Sequence, residues 1–404
     1  MEINQAKSAV AAAVAARSEL LTGLSRDLFE HPELCFEEFH AHDVLTDLLA
    51  SEGMEVERSA HGLDTAFRAQ AGRDGPLVAV LCEYDALPGL GHACGHNVIA
   101  AAGIGAGMAA ASVAEACGGR VLILGTPAEE GGGGKEYMIR DGALAGVDAA
   151  MMVHPADQDL DGFWAIAIQE VNVTFTGRAA HAAAAPQFGL NALDAAVLSY
   201  QGIAALRQHI GSSERIHAIF TDGGQKPNVV PERAAMQCYV RSPTVGSLEV
   251  LKERVTACIE AGAMATGCRP SIEWAEVTYS DLQTNRAMSE AYAVNAGELG
   301  RTVRPREEAP DFMGSTDMGN VSHHVPSIHP MIKVAPEGIA IHTHEFATHA
   351  GGMGGDRAVL DGAIAMAQTV VDLWLRPELL RSATAEFTAV GGAGSSGSTA
   401  RSRP

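Results

Sequence analysis

Gly91-His92-Ala93-Cys94-Gly95-His96-Asn97 brings two imidazoles and a thiol together, with Glu83-Tyr84-Asp85-Ala86-Leu87-Pro88 just ahead of it. These are metal-ligand types, and Cys94 and His96, two apart on a loop, can aim both side chains at one ion. A thiolate suits zinc, while carboxylate and imidazole partners also admit manganese or cobalt. The stretch cannot complete a site alone, so further ligands must come from elsewhere.

Candidates lie at three other places. In Pro127-Ala128-Glu129-Glu130, adjacent acids on a flexible loop can diverge. One can ligate a cation while the other takes a proton from a water that the cation acidifies. His154 follows the apolar run Ala149 to Val153, and His342 or His344 in Ile341-His342-Thr343-His344-Glu345 could close a site from a distant loop. Other chemistries fail on spacing. The glycines before Lys135 do not make a phosphate loop, because Glu129 stands where its first Gly belongs and Glu136 where its Ser or Thr belongs. His344-Glu345 reaches His349 one residue too late for a zincin helix. No Gly-x-Ser-x-Gly elbow supports a serine hydrolase.

The elements that must position these residues read as α/β. Helical patterns at residues 4–30 and 37–51 precede an apolar run, 77–82, that suits a strand buried on both faces. A small-residue helix is expected over 98–114 with Asn97 as its N-cap, then strands at 121–126 and 149–153. All three strands end in polar groups, and in open α/β sheets ligands bind outside the carboxyl ends of strands. From about Trp164 the order becomes strand-helix-strand-strand-helix-strand, which predicts a ferredoxin-like insert with an antiparallel sheet. The α/β pattern returns near Ser280. The expected organisation is therefore a discontinuous catalytic domain (1–166 and 280–388) with a mostly parallel sheet flanked by helices. An α+β lid and dimerisation domain (167–279) is inserted into it, and a Gly/Ser/Ala-rich tail (389–404) is set apart as disordered.

At 404 residues the chain suits two domains, and its charge of −21 argues against a nucleic-acid partner, which demands a phosphate-neutralising surface. Seven dispersed cysteines read as reduced thiols of a cytoplasmic protein. The start lacks a secretory pattern, and no uninterrupted apolar run approaches the roughly 18 residues that span a bilayer.

Taken together, Glu83-Tyr84-Asp85-Ala86-Leu87-Pro88, Gly91 to Asn97 and Pro127-Ala128-Glu129-Glu130 resemble the amidohydrolase branch of the aminoacylase and carboxypeptidase metallopeptidase family, which includes hippurate and auxin-conjugate hydrolases. Glu83 and Asn97 bring the chain nearest to its aminobenzoyl-glutamate hydrolase-like and dipeptidase-like members. The resemblance implies two divalent metal ions held by Cys94, His96, Glu130, His154 and His342, with Cys94 bridging, Glu129 as general base and acid, and Asp85 orienting a ligand. His342 is preferred to His344 because it stands four residues before Phe346. In the insert, Gly177-Arg178-Ala179-Ala180-His181-Ala182 resembles the lid motif whose His reaches a partner subunit's site, so at least a homodimer is implied. Asn228, in Gly223 to Pro231, and Arg241 would meet the substrate, Arg241 through a carboxylate. The implied reaction is hydrolysis of an N-acyl amino acid or dipeptide-like amide; the alternative is a non-catalytic binder on the same fold.

Overall fold

The structure, a computed structural model, describes residues 1–308 and 314–391; the expected disordered tail lies outside them from residue 392 onward. The strands, numbered along the chain, are β1 Val56–Arg58, β2 Phe67–Ala71, β3 Leu77–Cys82, β4 Arg120–Gly125, β5 Ala149–Met151, β6 His154–Ala156, β7 Ala167–Thr176, β8 Arg215–Asp222, β9 Arg233–Ser242, β10 Arg269–Trp274, β11 Ser327–Ile328 and β12 Met331–Lys333. Two compact units result, one from Met1–Trp164 with most of the chain after Leu282, the other from Ala165–Asp281 with Ser315.

The first unit is built on a sheet of order β1-β2-β4-β3-β5-β11. β4, β3, β5 and β11 run parallel, and β2 and β1 add an antiparallel edge. Parallel strands are covered on both faces, and β3 is accordingly buried at every residue. Four helices precede or cross this sheet: α1 Ile3–Ala15, α2 Ser18–Glu30, α3 Phe39–Ser51 and α4 His96–Ala111. The single pattern expected over 4–30 is two helices, because Arg17 leaves helical geometry at φ −113°, ψ 16°. That break lets each helix turn its own apolar stripe, Ala6/Val10/Val14 and Leu21/Leu24/Leu28, to the core.

α4 is buried from His96 to Ala110, and its Gly and Ala content reflects close approach. A methyl on Gly103 would stand 2.5 Å from the Cys82 sulfur and one on Gly107 2.4 Å from Ile123. The expected N-cap is corrected here. Gly95, at φ 80°, is the cap, and Asn97 lies inside the first turn. The Asn97 amide donates to Ser25 Oγ at 2.9 Å and to the carbonyl of Ala350 at 3.2 Å, so it ties α4 to α2 and to the C-terminal half instead of capping. The helix Met353–Leu375 is apolar enough to cross a membrane by length and composition, yet 78% of its apolar window is buried against the rest of the protein, as befits a core helix.

The second unit has the order β10-β7-β9-β8, antiparallel throughout, with helices Ala192–Leu206 and Val245–Thr266 packed on the sheet. With β7 first and β10 last in sequence, this is the ferredoxin-like arrangement. Along β7 buried and less buried residues alternate, placing Val171, Val173 and Phe175 against the helices. Asn191 and Thr244 cap the two helices, each side chain accepting from backbone N–H groups of the first turn.

Candidate metal centre

The parallel register of β3, β4 and β5 brings their carboxyl ends to one edge of the sheet. β3 delivers Glu83 and Asp85, and β4 delivers Glu129 and Glu130 after Ala128, a non-glycine residue held at φ 60°. His154 opens β6 just beyond β5, and His96 begins α4. His342, also at a positive φ of 63°, is pinned by its N–H to the carbonyl of Ala93 at 2.8 Å. Left-handed backbone at two non-glycine residues is uncommon and clusters at functional sites.

One ligand atom each from Cys94, His96 and His154 lies within 4.8 Å of the others, and the same holds for Cys94, Glu130 and His342. Cys94 belongs to both groups. Its sulfur is 3.4 Å from His154 Nε2, while Glu130 Oε1 is 3.4 Å from His342 Nε2 and 3.8 Å from His96 Nε2. The outer nitrogens are already engaged. His96 Nδ1 meets Asp85 Oδ1 at 3.0 Å and His154 Nδ1 meets the Pro155 carbonyl at 2.7 Å, which turns both Nε2 atoms to the centre. Asp85 is itself held by the Glu130 N–H at 2.9 Å and the Cys35 thiol at 3.4 Å. His342 and His344 are both exposed, but among the described residues only His342 joins a group of close donors, while His344 starts the helix His344–Ala350.

These donors fit a pair of divalent cations. His96 Nε2 and Glu130 Oε1 are buried without a hydrogen-bond partner although they face each other's group, an arrangement that a cation between them satisfies. The electrostatics agree. Burial, then Glu83 and Glu130, push Glu129 well above the usual carboxylate range. Burial, then Glu130, push the Cys94 thiol up, with His96 opposing. Burial alone would raise Asp85, but His96 and the Glu130 N–H hold it down to about 2. Burial works against the His96 cation, and Asp85 and Cys94 outweigh it, so this ring carries a proton that a cation bound at Nε2 must displace. His154 is lowered to about 3 by burial and by His96, so it is a neutral imidazole, the form that ligates.

The structure adds members that sequence reasoning did not assign. Glu83, Glu129 and His96 form a third group of close donors. Lys135 is fully buried, its ammonium 2.5 Å from Glu83 Oε1 and 2.6 Å from Asp317 Oδ1. Burial disfavours that charge, and Asp317 and Glu83 more than restore it. No local motif marks Lys135 or Asp317, since their meeting spans 182 residues. His329 packs edge-on to His154 at 5.4 Å and could have been flagged, because His329-Pro330 repeats His154-Pro155 after a strand. His92 is buried beside the centre, and burial and His96 lower it to about 4.

The remaining expected site residues belong to the second unit. His181 is exposed, and its Nδ1 accepts from Ala183 and Ala184 N–H at 3.3 and 3.2 Å, which fixes the ring. Asn228 is exposed, with its carbonyl accepting from Ala182 N–H at 3.0 Å. Arg241, on β9, donates to Ser315 Oγ at 3.1 Å.

A buried thiol, imidazoles and paired acids at the carboxyl edge of an α/β sheet define a metallohydrolase. A family model for peptidase family M20/M25/M40 matches residues 79–370, and the chain belongs to that family of hydrolases. It is 38% identical to the Xaa-Arg dipeptidase of Mus musculus, over 96% of this chain and 93% of the relative. To a p-aminobenzoyl-glutamate hydrolase component of Escherichia coli it is 30% identical, over 94% of each. Among solved structures, the aminobenzoyl-glutamate utilization protein of Klebsiella pneumoniae superposes with a TM-score of 0.74 at 20% identity, covering 90% of this chain and 98% of the other. A Bacillus subtilis protein described as a dinuclear metal-binding peptidase gives 0.69 at 21%, covering 89% and 99%.

Proposed function

We propose that the chain hydrolyses the amide bond of a dipeptide or N-acyl amino acid at a two-metal centre held by Cys94, His96, Glu130, His154 and His342. The observation that carries this reading is the pair of donor groups sharing Cys94, with the Glu129 carboxyl buried beside them. Zinc or manganese is the expected metal, with cobalt as a substitute, given one thiolate among imidazoles and carboxylate. Metal ions bound there supply Lewis acidity, polarising the substrate carbonyl and acidifying a water. Glu129 takes the proton of the attacking water and delivers it to the departing amine. Asp85 keeps His96 in the tautomer that presents Nε2. His181 from a partner chain donates to the developing oxyanion, and Asn228 and Arg241 hold the substrate, Arg241 by its carboxylate. The chain then acts as a homodimer or higher oligomer, in the cytoplasm.

The leaving amino acid is the finer question. Relatives at 38% and 37% identity are named for Xaa-Arg dipeptides, and one at 30% for aminobenzoyl-glutamate. Dipeptides ending in Arg are therefore the first substrates to test. The experiment is a screen of Xaa-Arg, Xaa-Lys, Xaa-Glu and N-acyl amino acids with the manganese- and zinc-loaded protein. Turnover that follows the charge of the leaving residue identifies the class. No amide hydrolysis with either metal overturns the reading.

A further inference from the structure

Asp27, His31 and His40 meet at a corner of the first unit, where α2 ends and α3 begins. His40 Nε2 is 2.7 Å from Asp27 Oδ2, and His31 Nδ1 is 3.4 Å from Asp27 Oδ1, so each oxygen of one carboxylate faces a different imidazole. The two rings lie 4.5 Å apart, and one donor atom from each of the three residues falls within 4.8 Å of the others. Donors about 2.0–2.2 Å from one ion stand roughly 3–4 Å from each other, so small side-chain rotations admit a cation. His31 Nδ1 also meets the Asp27 carbonyl at 2.8 Å. The carbonyl end of α2 adds a field that favours positive charge. The side chains are one-third to one-half exposed, which leaves water to complete a coordination sphere.

We propose that Asp27, His31 and His40 bind a divalent transition-metal ion, such as nickel, zinc or cobalt, at a site separate from the Cys94 centre. Two imidazoles and one carboxylate on one side of an ion are a donor set that such metals accept. As a mere exposed His–Asp pairing the cluster contributes little to stability. As a metal clasp it closes the segment between α2 and α3. That segment braces both acid-bearing loops: the Glu33 carbonyl accepts from Ala86 N–H at 2.8 Å, the Cys35 thiol donates to Asp85, and Glu38 Oε1 accepts from Ala128 N–H at 2.8 Å. Glu33 also accepts from His40 and Ala41 N–H through its two oxygens, both at 2.9 Å, so the clasp and the brace share one turn.

The test counts metal and does not depend on hydrolysis. Full-length parent, His40→Ala, His31→Ala and Cys94→Ala proteins are stripped with chelator, dialysed against Ni²⁺ and analysed for bound nickel per chain. The expected result is one ion fewer in each His variant than in the parent, with that ion retained in Cys94→Ala. Co²⁺ added to Cys94→Ala gives ligand-field absorption without a thiolate charge-transfer band, and His31→Ala in that background lowers it by the share of one ion. His31→Ala leaves the His40–Asp27 hydrogen bond in place, which covers the case in which His40→Ala folds poorly. Nickel uptake equal to the parent in both His variants overturns the site. So does loss of the ion together with the thiolate band of the Cys94 centre, because the clasp would then be acting only through that centre.

Discussion

Glu129 and Asp85 are both buried acids facing the same imidazole, at 3.9 and 3.0 Å from the His96 ring nitrogens, yet their environments pull them apart. Asp85 is pinned as an anion by His96 and a backbone N–H, while Glu129 is surrounded by burial and other carboxylates that favour its protonated form. Separated proton affinities are how paired acids take different tasks. Glu129→Gln keeps shape and loses the proposed proton carrier, so kcat is expected to fall roughly 10²- to 10⁴-fold with metal content unchanged. Steady-state kinetics alongside metal analysis checks this, and near-normal turnover by a metal-loaded variant rules Glu129 out as base. For Lys135→Met the expectation concerns stability. Removing one partner strands Glu83 and Asp317 in the interior, at a cost of about 3–5 kcal/mol, measurable by urea unfolding of the metal-free protein.

The turn into α4 is the element on which the centre depends. Gly95 combines φ 80° with a contact that leaves no room, since an added methyl would stand 2.9 Å from two atoms of the Pro155 ring. Gly95→Ala therefore strains the backbone between Cys94 and His96 and pushes on the residue next to His154. It is expected to cost about 1–3 kcal/mol and to weaken metal retention, read by thermal melting and by chelator titration. A variant that melts and holds metal like the parent would mean the turn has slack. In the second unit, His181 sits on an ordered turn of its own. Mixing His181→Ala with Glu129→Gln chains tests whether that turn serves a neighbour. Partial recovery of activity from two inactive proteins is expected if the imidazole acts across subunits, and none if it acts within its own chain.

For the whole molecule, pH acts through acids that folding has buried. Burial raises Glu38 to about 7, against hydrogen bonds from Thr65 and the backbone. In the unfolded chain a glutamate loses its proton near pH 4.3. Between about pH 4.3 and 7 the native state thus holds the extra proton, and the contribution of Glu38 to stability falls as pH rises through that window. The stability of Glu38→Gln relative to the parent should accordingly climb with pH, by on the order of 1–3 kcal/mol between pH 4.5 and 8. Denaturant melts at several pH values measure it, and a flat difference would mean that Glu38 does not keep its proton.

Sequence by itself determined the architecture and named most of the candidate donors that the fold brings together. Strands 77–82 and 121–126 were legible as short apolar runs, and the insert as a change of period, because burial on two faces or one leaves those patterns in the residues themselves. Cys94, His96, Glu129 and Glu130 were legible from spacing, since a loop at a strand end is a local arrangement. Tertiary structure decided what distance along the chain conceals. It brought His342 rather than His344 to Glu130, through a left-handed backbone that no residue type announces. It moved Asn97 from a cap to a tie between helices, and it buried Lys135 between Glu83 and Asp317. The physical reason is common to all three. Periodicity and capping report the forces within a segment, whereas a polar group that meets a buried partner is placed by that partner, and here each partner lies dozens to hundreds of residues away.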